Sequence, residues 1–317
     1  MTCLVSYPND NPFSGIITDP TAPLSYSLQM YQLYLPYPQF TGVAGSFPPI
    51  AGSSYNALQI RVEKRMSNGL QFLASYVNSK SMDNASVGTN ITWLSSGYIP
   101  TGLIDPTNPN AERSISQADI PQVFNLAAVY ELPIGRGKWL GGNWNSLVNG
   151  FLGGWKISGT WRLDNGNALN IGQQNGLTLP GGYSHRPDLL APLKRNHGSD
   201  WMSQYFAGCP INPPDPTNPC PQYVADAADY TLGNAPRFIS SIRAPGTNTT
   251  TLAIAKDFGL GALREGSTLE FRAESFNAFN HPQFCGPNTT VDGGNFGLVN
   301  SQCNGPREVQ LGLRLTF

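Results

Sequence analysis

Hydrophobic and polar residues alternate with a period of two in seven stretches of the chain, which places successive side chains on opposite faces of a strand. In 155–164 (WKISGTWRLD), Trp155, Ile157, Gly159, Trp161 and Leu163 fall on one face, and Lys156, Ser158, Thr160, Arg162 and Asp164 on the other. In 307–317, Val309, Leu311, Leu313, Leu315 and Phe317 oppose Gln310, Gly312, Arg314 and Thr316. Leu70, Phe72, Ala74 and Tyr76 define a face in 70–80, as do Phe124, Leu126, Ala128 and Tyr130 in 121–132. Segment 55–66 sets Leu58, Ile60 and Val62 against Gln59, Arg61 and Glu63, and 268–278 sets Leu269, Phe271 and Ala273 against Glu270, Arg272 and Glu274. The pattern is weakest in 250–258, where Lys256 interrupts Leu252, Ile254 and Phe258.

Each span is close to the ~9–11 residues that a tilted strand needs to cross a bilayer core of about 30 Å. The links alternate between shorter (67–69, 133–154, 259–267) and longer (81–120, 165–249, 279–306), as expected of a barrel with short periplasmic turns and long extracellular loops. Asn68-Gly69 is a hairpin signal. The prediction is an all-β fold, an antiparallel meander of long amphipathic strands forming about seven strands of an outer-membrane β-barrel sheet. Strand 55–66 runs inward, 70–80 outward, and so on to a periplasmic end at Phe317. Residues 1–54 are expected to be an extracellular loop remnant and 55–317 the barrel segment. The Pro-, Gly- and Asn-rich loops should be irregular and water-facing. Tyr55, Tyr130, Trp155, Phe258, Phe279 and Phe317 near the span ends fit interfacial girdles. A half-buried strand in a soluble sandwich shows the same alternation, but a sandwich has no reason to keep every second connection short.

Composition narrows the classes further. Charged residues are 12%, against 34 Gly and 27 Pro, which excludes a charge-laced helical surface. The 19 basic and 20 acidic residues give a net charge of −1, with no field to attract nucleic acid. Disorder is excluded by 40% hydrophobic and 11% aromatic residues. No apolar run is long enough for a spanning helix, and the first residues lack the layout of a secretory signal.

The stretches SSYNALQIRVEKRMSNGLQFLASYVNSKSMDNAS (53–86), YELPIGRGKWLGGNWNSLVNGFLGGWKISG (130–159) and LREGSTLEFRAESFNAFNHPQFCGPNTT (263–290) resemble the C-terminal barrel of TonB-dependent receptors, and most closely the large Oar-like, acidobacterial type. PYPQFTGV (36–43) and the closing PREVQLGLRLTF (306–317) are similar as well. The resemblance implies a plugged barrel of about 22 strands, of which this chain supplies the last third. Alone, seven strands would leave two unpaired edges in lipid and should not close a barrel. The resemblance also implies that Val309, Leu311, Leu313, Leu315 and Phe317 form the signal by which the barrel-assembly machinery recognises a last strand.

Among five cysteines, Cys209 and Cys220 lie in one long loop and Cys285 and Cys303 in another. Four cysteines permit three pairings; the local one is expected in an oxidising exterior, with Cys3 left over. No C-x-x-C spacing suggests zinc, and His185, His197 and His281 lack a metal-site context. Glu270 and Glu274 stand about 13 Å apart along a strand, beyond the roughly 5–9.5 Å of a glycosidase pair. Gly135-Arg136-Gly137-Lys138 departs from a phosphate loop and reads as a periplasmic turn with snorkelling cations. N-x-[ST] triplets at Asn84, Asn90, Asn248 and Asn288 are coincidental in a bacterial chain. Arg61, Glu63, Arg65, Lys156, Arg162, Asp164, Glu270, Arg272, Glu274 and Arg314 would line the lumen.

The function expected is that of a barrel fragment of an outer-membrane receptor or transporter, localised to the outer membrane. The complete form would take up an unidentified ligand, and the fragment alone would transport nothing. Trp201, Tyr205, Tyr223 and Tyr230 are the expected loop contacts. Partners are outer-membrane lipid, the barrel-assembly machinery and, through an absent plug only, the TonB system; no cofactor and no nucleic acid are implied. A secreted β-rich binding or adhesion module is the alternative, and an enzyme is disfavoured because no nucleophile, base and orienting group stand out.

Overall fold

The computed structural model describes residues 15–19, 51–84, 104–105, 108–174, 176, 185–210, 219–260 and 266–317. Cys3 and the 36–43 stretch lie outside them. Seven long strands pair antiparallel in chain order: β1 (Ser53–Ser67), β2 (Leu70–Asp83), β4 (Gln122–Glu131), β5 (Trp155–Asp164), β10 (Asn248–Gly259), β11 (Thr268–Phe276) and β12 (Glu308–Thr316). β3 (Ser114–Ile115) adds to the end of β2. Between β5 and β10 lie β6 (Ala168–Leu169), β7 (Asp188–Leu189), β8 (Val224–Ala225) and β9 (Ile239–Arg243). Helix α1 (Ser146–Leu152) sits between β4 and β5. The meander is open, with β1 and β12 at its edges.

The β1–β2 turn shows how tightly sequence dictates local geometry. Asn68 (φ 52°) and Gly69 (φ 77°) both take the left-handed conformation that a two-residue hairpin turn needs. A Cβ on Gly69 would come within 2.9 Å of the Glu131 carbonyl oxygen on the neighbouring strand. This turn and the β4–β5 link mark one rim of the sheet, and the loops 84–121, 165–247 and 277–307 leave from the other. By the length rule for such barrels, the first rim is periplasmic and the second extracellular.

Register carries one apolar face across the whole sheet. Ile60 opposes Tyr76, Tyr76 opposes Phe124, and Phe124 opposes Leu163. Gly159 opposes Leu252, Ile157 opposes Ile254, Ile254 opposes Ala273, and Ala273 opposes Leu311. Lys256 falls on this same face, between Trp155 and Phe271. Of the residues expected in girdles, Tyr130, Trp155 and Phe258 sit on it near the periplasmic rim. Tyr55 departs from the expectation: it opposes Ser81 and shares the parity of the polar face.

Leu58, Ile157, Trp161, Leu311 and Leu313 on the apolar face are exposed. Among the described residues no second sheet or helix packs on this face. A soluble sandwich would bury it. The chain's main buried apolar cluster lies instead in the loops, where Leu193, Tyr205, Phe206, Val224, Ile242 and Val291 are essentially inaccessible.

That cluster overturns one expectation. The loop between β5 and β10 is a folded unit rather than an irregular strap, with β6 pairing β9, β7 pairing β8, and its own core. Alternation with a period of two cannot reveal such a core, because its residues come from turns, two-residue strands and the five-residue β9, whose buried Ile239 and Ile242 do not alternate.

Candidate functional site: the loop cap and the polar face

The face opposite the lipid-type stripe is polar and concave. Arg61 and Glu63 from β1 and Arg272 and Glu274 from β11 line one cleft of about 360 Å³, floored by Ala127, Ser158 and Ala253. The long charged side chains stand around this floor of small residues. Ion pairs keep those side chains along the wall: Arg61 with Glu63 at 3.0 Å, Lys156 with Asp257 at 3.3 Å, and Arg272 with Glu274 at 2.6 Å. Being exposed, each contributes about 0–1 kcal/mol, so their role is placement of charge more than stability. Arg162, Glu270 and Arg314 share this face by register, whereas Arg65 falls in the irregularity between Lys64 and Ser67.

Above the extracellular rim, parts of three loops pack into a single cap. From the 165–247 loop, Phe206 stacks on Phe296 of the 277–307 loop with ring centroids 4.7 Å apart. Backbone bonds reinforce the contact: Gly172 N–H donates to Thr289 O at 3.0 Å, Val291 N–H to Gly172 O at 2.9 Å, and Tyr205 N–H to Gly297 O at 2.9 Å. The disulfide Cys209–Cys220 closes a segment of the first loop, and both cysteines are buried in the cluster. Cys285–Cys303 cross-links the base of the other loop.

Three ion pairs fasten this cap to the end of β2 and the 84–121 loop. Arg186 meets Glu112 at 2.5 Å, Arg243 meets Asp119 at 2.6 Å, and Arg237 bonds both the carboxylate and the carbonyl of Asp83. All three arginines come from one loop and all three acids from the preceding hairpin. Burial draws the Arg237 pKa below the usual guanidinium value, and the Asp83 carboxylate works against that shift. These six residues had no signature in the sequence, since the partners are 74, 124 and 154 positions apart.

The four expected aromatic contacts separate by burial. Tyr230 is 55% exposed, on the surface of the cap. Trp201 and Tyr223 are half-buried, Trp201 packing edge-on against Phe284 at 5.3 Å. Tyr205 is a correction: it is fully buried, its hydroxyl donates to the Arg243 carbonyl, and it belongs to the cap's core rather than to its surface. Burial pushes its pKa up to about 12, with the nearby Arg195 opposing the shift. His185 is held between Gln173 and the Ala228 carbonyl, and no cluster of metal-ligating side chains occurs among the described residues.

The final strand β12 is exposed along its length, with Val309, Leu311, Leu313, Leu315 and Phe317 bare on the lipid side. An open sheet with one continuous apolar face, an opposite polar concavity and long loops at one rim defines an outer-membrane β-barrel segment. A family model described as "Outer membrane beta barrel domain" matches residues 4–310, and the chain belongs to that family. No curated protein and no solved structure matches it.

Proposed function

We propose that these residues form the C-terminal barrel segment of a TonB-dependent receptor of the Oar-like type, whose complete form takes up a ligand across the outer membrane and which is not an enzyme. The observation that carries the reading is the cap: loops that only had to connect strands would not need a core, two disulfides and three buried ion pairs. A rigid extracellular surface above a polar concavity suits capture followed by passage. Tyr230, with the edges of Trp201 and Tyr223, would make the first contacts. The charged wall around Arg61, Glu63, Arg272 and Glu274 would face a plug, through which the TonB system would act. The exposed Val309–Phe317 strand would dock on the barrel-assembly machinery by edge pairing.

The reading frame upstream of Met1 tests this directly. An in-frame plug and a TonB-contacting segment are expected there, together with uptake that stops when TonB is deleted. A barrel with no plug, or uptake by cells making only these residues, would overturn it.

A further inference from the structure

At the periplasmic rim, the β4–β5 link (132–154) differs in composition from the polar loops at the other end. It carries Arg136 and Lys138 and no Asp or Glu. Trp139, Leu147 and Phe151 are 84%, 76% and 70% exposed, and Leu152 is exposed beside them. Asn145 caps α1 by accepting the Val148 N–H at 2.8 Å, and Asn149 accepts the Arg136 N–H at 2.6 Å. The link is therefore an ordered platform that presents large apolar side chains outward.

Two hydrogen bonds fix which side of the rim it occupies. Trp155 Nε1 donates to Phe151 O at 3.0 Å, and Lys256 Nζ donates to Gly153 O. Trp155 and Lys256 are register partners on the apolar face, so the C-terminal end of α1 adjoins the lipid-facing stripe and not the concavity. Lys256 is only 3% exposed and its ammonium lies 5.5 Å from the Trp155 ring centre and 5.1 Å from that of Phe258. Its ammonium is held by the Gly153 carbonyl of the link and flanked by the two rings, which ties the link to the apolar face. Arg136 donates to Trp144 O and Ser146 Oγ, each at 3.3 Å, which holds its guanidinium without a carboxylate partner among the described residues.

We propose that the β4–β5 link is a membrane-surface anchor. Arg136 and Lys138 take the phosphate of an anionic glycerophospholipid in the periplasmic leaflet, and Trp139, Leu147 and Phe151 sink into the boundary between headgroups and acyl chains. Two features select this occupant. The link continues the apolar face that the lipid already covers, and its uncompensated positive charge is opposite to that of the headgroup. The inference rests on the outer-membrane family and the register, and it holds whether or not the complete protein imports a ligand.

The test uses the full-length protein assembled in the outer membrane, transferred to discs of phosphatidylcholine and phosphatidylglycerol, with retained lipids read by native mass spectrometry. Wild-type protein should retain phosphatidylglycerol in preference to phosphatidylcholine. Arg136→Gln with Lys138→Gln should weaken that preference about fivefold per cation, roughly 25-fold for the pair. Arg61→Gln with Arg272→Gln, on the polar face, should leave it unchanged. Equal retention of both lipids by the wild type would overturn the proposal without any variant having to fold. So would a wild-type preference in the assembled Arg136/Lys138 pair variant, or an equal loss in the polar-face control.

Discussion

Arg243, the last residue of β9, donates from Nη2 to Asp119 Oδ2 at 2.6 Å, while Asp119 Oδ1 accepts the Ser81 N–H of β2 at 2.5 Å. One carboxylate, 2% exposed, thereby joins the large extracellular loop, the loop before it and the end of a spanning strand. Removing one member of such a pair leaves a charge with no partner, which costs about 3–5 kcal/mol, whereas replacing both by apolar groups is often neutral. Asp119→Ala should therefore open the cap to limited proteolysis within 165–247, and Asp119→Leu with Arg243→Met should restore resistance only in part, because the Ser81 N–H still loses its acceptor. Equal protection in the wild type and Asp119→Ala would show that the apolar cluster alone holds the loops.

The sidedness of the sheet predicts opposite outcomes at adjacent residues. Leu126 opposes Ala74 and Trp161 on the apolar face, and Ala127 opposes Leu73 and Thr160 on the other. An arginine near the bilayer midplane on the lipid side costs about 2–4 kcal/mol, while one facing the lumen is hydrated. Leu126→Arg should lower the urea midpoint of the membrane-inserted protein accordingly, and Ala127→Arg should change it little. A reversed order would mean that the faces are exchanged.

This sidedness was legible in the sequence because the strand period is two, and each apolar residue of 155–164 announces its face without help from any partner. The strands differ from the spans read in the sequence mainly at their ends: 55–66 extends to Ser53–Ser67, and 70–80 to Leu70–Asp83. Lys256 illustrates the reverse: it looked like a flaw in the pattern, and only the fold reveals the carbonyl that receives its ammonium. The cap was illegible for a related reason. Glu112 and Arg186 find one another through tertiary packing, and nothing local marks Tyr205 as interior while Tyr230 stays outside.

Gly159 lies close against β10 on the apolar face. A Cβ there would come within 2.8 Å of both Leu252 Cδ2 and Thr251 O on β10. The backbone oxygen cannot move without loosening the β5–β10 ladder, so a larger side chain overpacks the site at about 1–3 kcal/mol. Gly159→Val should reduce the folded fraction of the protein in membranes, read as loss of the heat-modifiable band on gels, and Leu252→Ala added to it should recover only the side-chain part of the clash. Unchanged assembly of Gly159→Val would show that the sheet has slack at this position.

Tyr205 offers a titration of the cap itself. Its folded pKa of about 12 lies above the ordinary phenol value of 10.0, so the neutral phenol is the form that the folded cap prefers. The sign follows from linkage: this contribution is complete below pH 10.0 and is lost as the pH rises toward about 12, where the phenolate must form inside the core. A shift of that size corresponds to roughly 2–3 kcal/mol. Absorbance at 295 nm should show an ionisation near pH 12 that disappears in Tyr205→Phe, accompanied in the wild type by a fall in the amide protection factors of Phe206 and Val291, taken relative to the base-catalysed rate at each pH. In Tyr205→Phe those protection factors should not fall through that window, because the cap no longer holds the Tyr205 phenol. Alkaline loosening of the same amides in the variant would assign the transition to another group.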